Sequence, residues 1–249
     1  MVCREIYGMS QTAYLDGLGI LGPNFFAAHA IWIDDDDISR LADSGASVAH
    51  NAGNNMRLGN GMAAARRMLD RCINVGIGTD ACTCADNLNM FEAMRMASFV
   101  ARVQDVDWSL WLGADEILHM ATKGGAKLLG LEDVVGELRP GDKADMVFLD
   151  LRNINYVPFN IPTVQVVNAE DGTAIDSVMI GGRMVFDHGT ITTIDEKKLF
   201  ADAQRAVERL LGPEADDIHA MVLRMEEIVG PFCLDILQQD FHVHRHLGG

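Results

Sequence analysis

Positive charge is scarce in this 249-residue chain: 20 lysines and arginines stand against 36 aspartates and glutamates, a formal net charge of -16. Such a surface repels phosphate backbones and anionic headgroups, so neither nucleic acid nor a membrane is an expected partner. Long apolar runs are missing too. No stretch approaches the roughly 18 uninterrupted apolar residues of a membrane span, and Met1-Val2-Cys3-Arg4-Glu5 lacks the basic segment and apolar core of a secretion signal. A cytoplasmic protein is expected. Cysteine is sparse and unpaired: Cys3, Cys72, Cys82, Cys84 and Cys233 show no C-x-x-C spacing, which signals neither a disulfide framework nor a structural zinc site. Internal repeats and low-complexity tracts are also lacking, and a hydrophobic content of 49% suffices for a sizeable core.

The pattern along the chain alternates. A short helix is predicted over 10–18, stopped by Gly19 and Gly22, followed by a buried strand over 25–33 (FFAAHAIWI) with His29 in its second half. Asp34 to Asp37 looks like a reactive acidic cluster, but aspartates at a helix start accept hydrogen bonds from free backbone N–H groups and complement the dipole. The plainer reading is the first turn of a helix running to Ser44. A strand over 46–50 then ends at His50 before the polar run Asn51-Ala52-Gly53-Asn54-Asn55. A helix over 62–72 leads to a strand over 74–79 that closes on Asp80.

Strands alternating with helices predict an α/β fold with parallel strands and crossover helices, and in a barrel of this kind the C-terminal strand ends carry the chemistry. His29, His50 and Asp80 all lie near such ends. Helices are predicted over 88–103 and 115–129. A turn over 136–143 then leads to an apolar strand over 144–151, where the architecture changes. Segments 175–180 and 183–186, joined by Gly181-Gly182, read as a β-hairpin in a small β-domain. Helices over 196–211 and 213–229 read as packing or oligomer elements.

Few residues can carry chemistry. In Gly76-Ile77-Gly78-Thr79-Asp80 the carboxylate follows a glycine-rich strand, where it can approach a metal ion or an activated water; it can equally cap the following loop. A lone His29 in an apolar strand reads first as a satisfied core histidine. Three such groups on successive strand ends are harder to dismiss. Cys82-Thr83-Cys84 has no second pair and reads as loop chemistry without metal. Met90, Met94 and Met96 fit helix packing. His242, His244 and His246 alternate and could share one face of a strand, but their place near the terminus fits an exposed tail better.

The motifs AHAIWID, DISRLADSGASVAHNAGNNMRLGNG and VGIGTDA, in this order and spacing, resemble the last three barrel strands of the amidohydrolase superfamily. The branch most similar in appearance holds cytosine, guanine and S-adenosylhomocysteine deaminases together with triazine chlorohydrolases. The resemblance implies the C-terminal part of a (β/α)8 barrel over 1–135, a β-sandwich segment over 136–192, where LRPGDKADMV resembles the return from barrel to sandwich, and C-terminal helices and tail over 193–249.

It also implies roles. His29 matches the sixth-strand histidine that contacts substrate or the attacking water, and Asp80 matches the eighth-strand aspartate that binds the metal and shuttles a proton. His50, Asn54 and Asn55 match a substrate-contacting seventh-strand turn, with Ala52 in place of its usual proline and Asn54 in place of its usual serine. The implied function is metal-dependent hydrolysis of a carbon–nitrogen bond other than a peptide bond: deamination, or dechlorination, of a small nitrogen heterocycle, with a divalent metal (zinc or iron), in a homo-oligomer. The family's H-x-H pair and H-x-x-E motif fall before the part matched by residues 7–22. One carboxylate does not make a zinc site, which takes about three protein ligands, so the chain alone is expected to be inactive. Two other readings stay open: a non-catalytic fragment or interaction module whose barrel a partner completes, and an unrelated α/β binding protein.

Overall fold

A computed structural model describes residues 2–212 and 215–237. Helices α1 (Val2–Tyr7) and α2 (Gln11–Gly17) precede strand β1 (Phe26–Ala28). Helix α3 (Asp35–Ser44) leads to β2 (Ser47–His50), and α4 (Ala52–Arg57) and α5 (Ala65–Asp70) lead to β3 (Asn74–Ile77). The three strands form one parallel sheet in sequential order, with Ala27 opposite Val48 and Val48 opposite Val75. Helices α6 (Cys82–Ala85) and α7 (Met90–Gln104) follow. Next comes α8 (Ala114–His119), which passes through a π-helical turn (Met120–Gly124) into α9 (Gly125–Leu128). The second sheet is antiparallel, in the order β4 (Met146–Leu149), β5 (Ile175–Ile180), β6 (Arg183–Asp187) and β7 (Thr190–Ile191), with α10 (Pro162–Asn168) between its first two strands. Helices α11 (Glu196–Leu210) and α12 (Ala215–Leu237) close the described chain.

Local chemistry explains the boundaries. Asp34 caps α3: its side chain accepts the Asp37 N–H at 2.9 Å, and the Asp37 carboxylate accepts the Asp34 N–H at 3.3 Å. This is a reciprocal capping box built from the acidic run. Asp37 also accepts a hydrogen bond from the Ser10 hydroxyl, which ties α2 to α3. Gly45, at φ 74°, ends the helix in the left-handed region that glycine adopts freely. The α3 face carrying Ile38 and Leu41 packs with Val48, Met68, Val75, Met94, Ala97 and Ile117 into the main core. Met94 and Met96 serve this packing, while Met90 is exposed.

Several predicted elements change. The strand expected over 25–33 stops at Ala28, because His29 and Ala30 both turn left-handed (φ 68° and 46°). The polar run at 51–55 is the first turn of α4, closed by the Asn55 N–H on the Asn51 carbonyl at 3.0 Å. The helix expected over 115–129 contains the π turn. Here Gly124 lies against β3: a Cβ on Gly124 would stand 2.7 Å from the Val75 carbonyl oxygen, and Asn74 donates its side-chain amide to the Gly124 carbonyl at 3.0 Å. Helix α12 continues past Val229 through Pro231, in surroundings open enough for solvent to reach the carbonyl that proline leaves without a partner.

The hairpin turns at Gly181 and Gly182, both with positive φ (57° and 79°), as a two-residue primed turn requires. In the segment before β5, Tyr156 and Glu170 are fully buried, and Glu170 accepts N–H bonds from Gly172 (2.7 Å) and Ala174 (3.2 Å) that shape the approach to the strand. Burial, together with the Glu170 carboxylate, holds the Tyr156 phenol well above its ordinary range. Among the described residues, no helix is long and apolar enough to cross a membrane, and Cys3, Cys72, Cys82 and Cys84 are free thiols. His242, His244 and His246 lie outside the described residues.

Candidate functional site

The parallel sheet brings three loop-bearing strand ends together. At the end of β1 the His29 N–H still bonds the Ala49 carbonyl at 2.9 Å, so the ring leaves the sheet at a fixed point. The left-handed backbone there, rare for a residue with a side chain, turns the imidazole toward the neighbouring strand ends. His29 Nδ1 lies 2.9 Å from Asn55 Oδ1 and 3.5 Å from Asn51 Nδ2. Its Nε2 lies 3.5 Å from Asp80 Oδ2.

Asp80 is held as firmly. It too is left-handed, at φ 61°, and its Oδ1 accepts the Ala81 N–H at 2.7 Å. One carboxylate oxygen is thereby tied to the backbone while the other faces His29. The side chains of His29 and Asp80 keep 35% and 25% of their surface accessible, enough for a small molecule to reach both.

The other predicted residues lie deeper. His50, Asn54 and Asn55 are each at most 2% exposed. Burial pushes the His50 imidazole down to about 4, so this ring is neutral at ordinary pH. His50 Nδ1, both amide atoms of Asn54 and Asn55 Nδ2 have no hydrogen-bond partner in the protein, an unusual concentration of unsatisfied polar atoms in a core. Of the five residues singled out in the sequence, His29, Asp80 and Asn55 converge directly.

Two contributors escaped the sequence reading. Asn51 is 5% exposed and presents its amide to His29. Gly78 permits this: a Cβ there would stand 2.1 Å from Asn51 Oδ1. The glycine of the G-x-G-T-D run was the available signal, since a glycine inside a strand often marks close approach of another group. A cavity of about 540 Å³ reaches His29 from the β1 side, walled by Leu15, Leu21, Phe25 and Trp32. A second, of about 380 Å³, lies beyond Gly78 and Thr79 beside the Arg57–Asp86 ion pair.

A metal is less well served. Among the described residues no group of three or more histidine, cysteine, aspartate or glutamate side chains is placed to hold an ion. Asp80 can donate an oxygen, but the described residues alone do not fit a catalytic zinc.

Comparison with known proteins agrees with the motifs. A 5'-deoxyadenosine deaminase of Methanosarcina barkeri is 35% identical over 212 residues, covering 85% of this chain and 48% of its own. A 5-methylthioadenosine/S-adenosylhomocysteine deaminase of Pelotomaculum thermopropionicum is 37% identical over 211 residues, with 85% and 48% covered. Among solved structures, an adenosine deaminase from Xanthomonas campestris with bound zinc aligns with a TM-score of 0.80 at 29% identity, over 83% of this chain and 47% of that one. An atrazine chlorohydrolase from Arthrobacter aurescens complexed with zinc gives 0.77 at 28% identity, over 82% and 45%. The chain spans about half the length of the curated relatives it matches. The amidohydrolase family model covers residues 2–185, and the chain belongs to that family.

Proposed function

We propose that this chain carries the His29–Asp80 part of a hydrolytic site that deaminates a small nitrogen heterocycle, an adenine-type nucleoside being the first candidate. The observation that carries the reading is the pairing of His29 Nε2 with Asp80 Oδ2 at 3.5 Å, two bases from different strands facing one accessible gap. A water held there would attack an amidine carbon as its proton passes to Asp80, and the exocyclic amine would take up a proton and depart as ammonia. His29 would orient the water or the ring, a role for which geometry matters first. The deaminase names of the relatives support this chemistry; the chlorohydrolase neighbours make chloride an alternative leaving group.

In this reading the parallel strands are the last three of an eight-stranded barrel, and the antiparallel sheet is part of a β-sandwich. A divalent metal, zinc or iron, belongs to the whole protein's activity, and ligands besides Asp80 would have to come from outside the described residues. That same observation favours a second reading, in which the chain by itself is a non-catalytic module.

Ammonia release from 5'-deoxyadenosine, 5-methylthioadenosine, guanine and cytosine, measured on the purified chain beside an Asp80→Asn variant, separates the two. The catalytic reading expects turnover that falls by about a hundredfold or more in the variant. Turnover indifferent to Asp80 would refute it, and absence of turnover in both would favour the module.

A further inference from the structure

We propose that Asn55 is a positioning residue that locks the His29 ring as its Nδ1–H tautomer, leaving Nε2 as a bare acceptor aimed at the gap beside Asp80. This rests on the reading of His29 and Asp80 as the reaction centre. A neutral imidazole has one donor and one acceptor nitrogen, and the partner of one decides the state of the other. Asn55 Oδ1, at 2.9 Å, can only accept, so Nδ1 carries the proton and donates. Asn51 Nδ2 approaches the same nitrogen only to 3.5 Å, too far to compete as a donor.

Asn55 is built to hold this geometry. It is 1% exposed, its N–H is bonded to the Asn51 carbonyl, and its own carbonyl accepts the Asn60 N–H, each at 3.0 Å. Its backbone is therefore fixed on both sides, and the side chain has no solvent to swing into. The left-handed backbone of His29 and Ala30 fixes the ring from the other side.

The tautomer decides what the gap binds. With Nδ1 protonated, Nε2 and Asp80 Oδ2 are two acceptors 3.5 Å apart. Two facing acceptors call for a donor between them, such as a water or the N–H or O–H of a substrate. With the proton on Nε2 instead, His29 would donate to Asp80 and occupy the lone pair that the reaction needs. Asn55 thus keeps the carboxylate free by turning the neighbouring ring's donor away from it.

The tautomer is readable without turnover. Long-range ¹H–¹⁵N correlation on the full chain labelled at histidine, at about pH 8.5, well above the ordinary histidine value near 6.5, distinguishes pyrrole-type from pyridine-type nitrogens. Loss of one signal set in His29→Gln assigns the ring. Wild type is expected to show pyrrole-type Nδ1 and pyridine-type Nε2 at His29. Asn55→Ala is expected to lose the pyrrole-type Nδ1 signal, and Asn55→Asp, which keeps an acceptor in place, to retain it. An Nε2–H tautomer in wild type, the result expected if the Asn55 amide lies the other way round, would overturn the proposal, as would an unchanged tautomer in Asn55→Ala. Should Asn55→Ala not fold, wild type and Asn55→Asp still decide. An Nδ1–H ring in a protein whose turnover ignores Asp80 would refute the function and leave the positioning role intact.

Discussion

Acidification should destabilise the chain through one residue. His50 is 2% exposed, and burial lowers its folded-state value from 6.5 to about 4. Above 6.5 the ring is neutral in both folded and unfolded chains, and its contribution to stability is fully present. Between 6.5 and about 4 the unfolded chain takes up a proton that the folded core refuses, so stability falls as pH falls. Below about 4 the loss levels off. Integrated over that window, linkage gives a loss of about 2.5 kcal/mol between about pH 7.5 and about pH 4.5. Set against the usual total of about 5–15 kcal/mol, that is a large fraction.

The assay is urea unfolding followed by circular dichroism across this range, on wild type and on His50→Gln. The substitution has its own cost, but that cost does not vary with pH. The difference between the two proteins should therefore isolate the histidine from the many carboxylates that titrate nearby. Parallel loss of stability in both proteins would refute the reasoning. So would a direct NMR titration placing the His50 ring near its ordinary 6.5.

Gly78→Ala should destabilise the chain by about 1–3 kcal/mol, the usual cost of overpacking, because its Cβ would fall 2.1 Å from Asn51 Oδ1; an unchanged urea midpoint would contradict the close approach. Asp34→Ala removes the α3 cap and the 2.7 Å bond from Arg4, and should cost about 1 kcal/mol in thermal or urea unfolding, whereas the same change at Asp36, outside the capping box, should cost less than half of that.

The sequence was legible where local chemistry decides and opaque where distant strands do. The acidic run at 34–37 announced a helix start because aspartate satisfies free N–H groups, and the structure has that capping box. Gly181-Gly182 announced the hairpin for a similarly local reason. By contrast, FFAAHAIWI reads as continuous strand, and nothing in its composition tells that His29 and Ala30 leave the β region. The short helix Pro162–Asn168 and the buried Tyr156–Glu170 pair went unread because their support comes from partners far along the chain. At the candidate site, His29 and Asp80 could be picked out as strand-end residues, but their 3.5 Å approach, and the places of Asn51 and Gly78 around it, depend on how three strands are staggered.

The π turn at Met120–Gly124 sets a phase relation between α8 and α9. Each residue of an α-helix advances the winding by about 100°, and a π turn amounts to one extra residue absorbed without breaking the rod. Loss of any single residue between 120 and 124 would restore regular winding and rotate everything after it by that angle. Ala126, now 5% exposed, would leave the interior, and the glycine surface resting on β3 would be replaced by side chains. Point substitutions here can be absorbed by neighbouring atoms; a change in length cannot. Chains descended from this one should therefore vary in residue type along this helix while keeping its residue count unchanged.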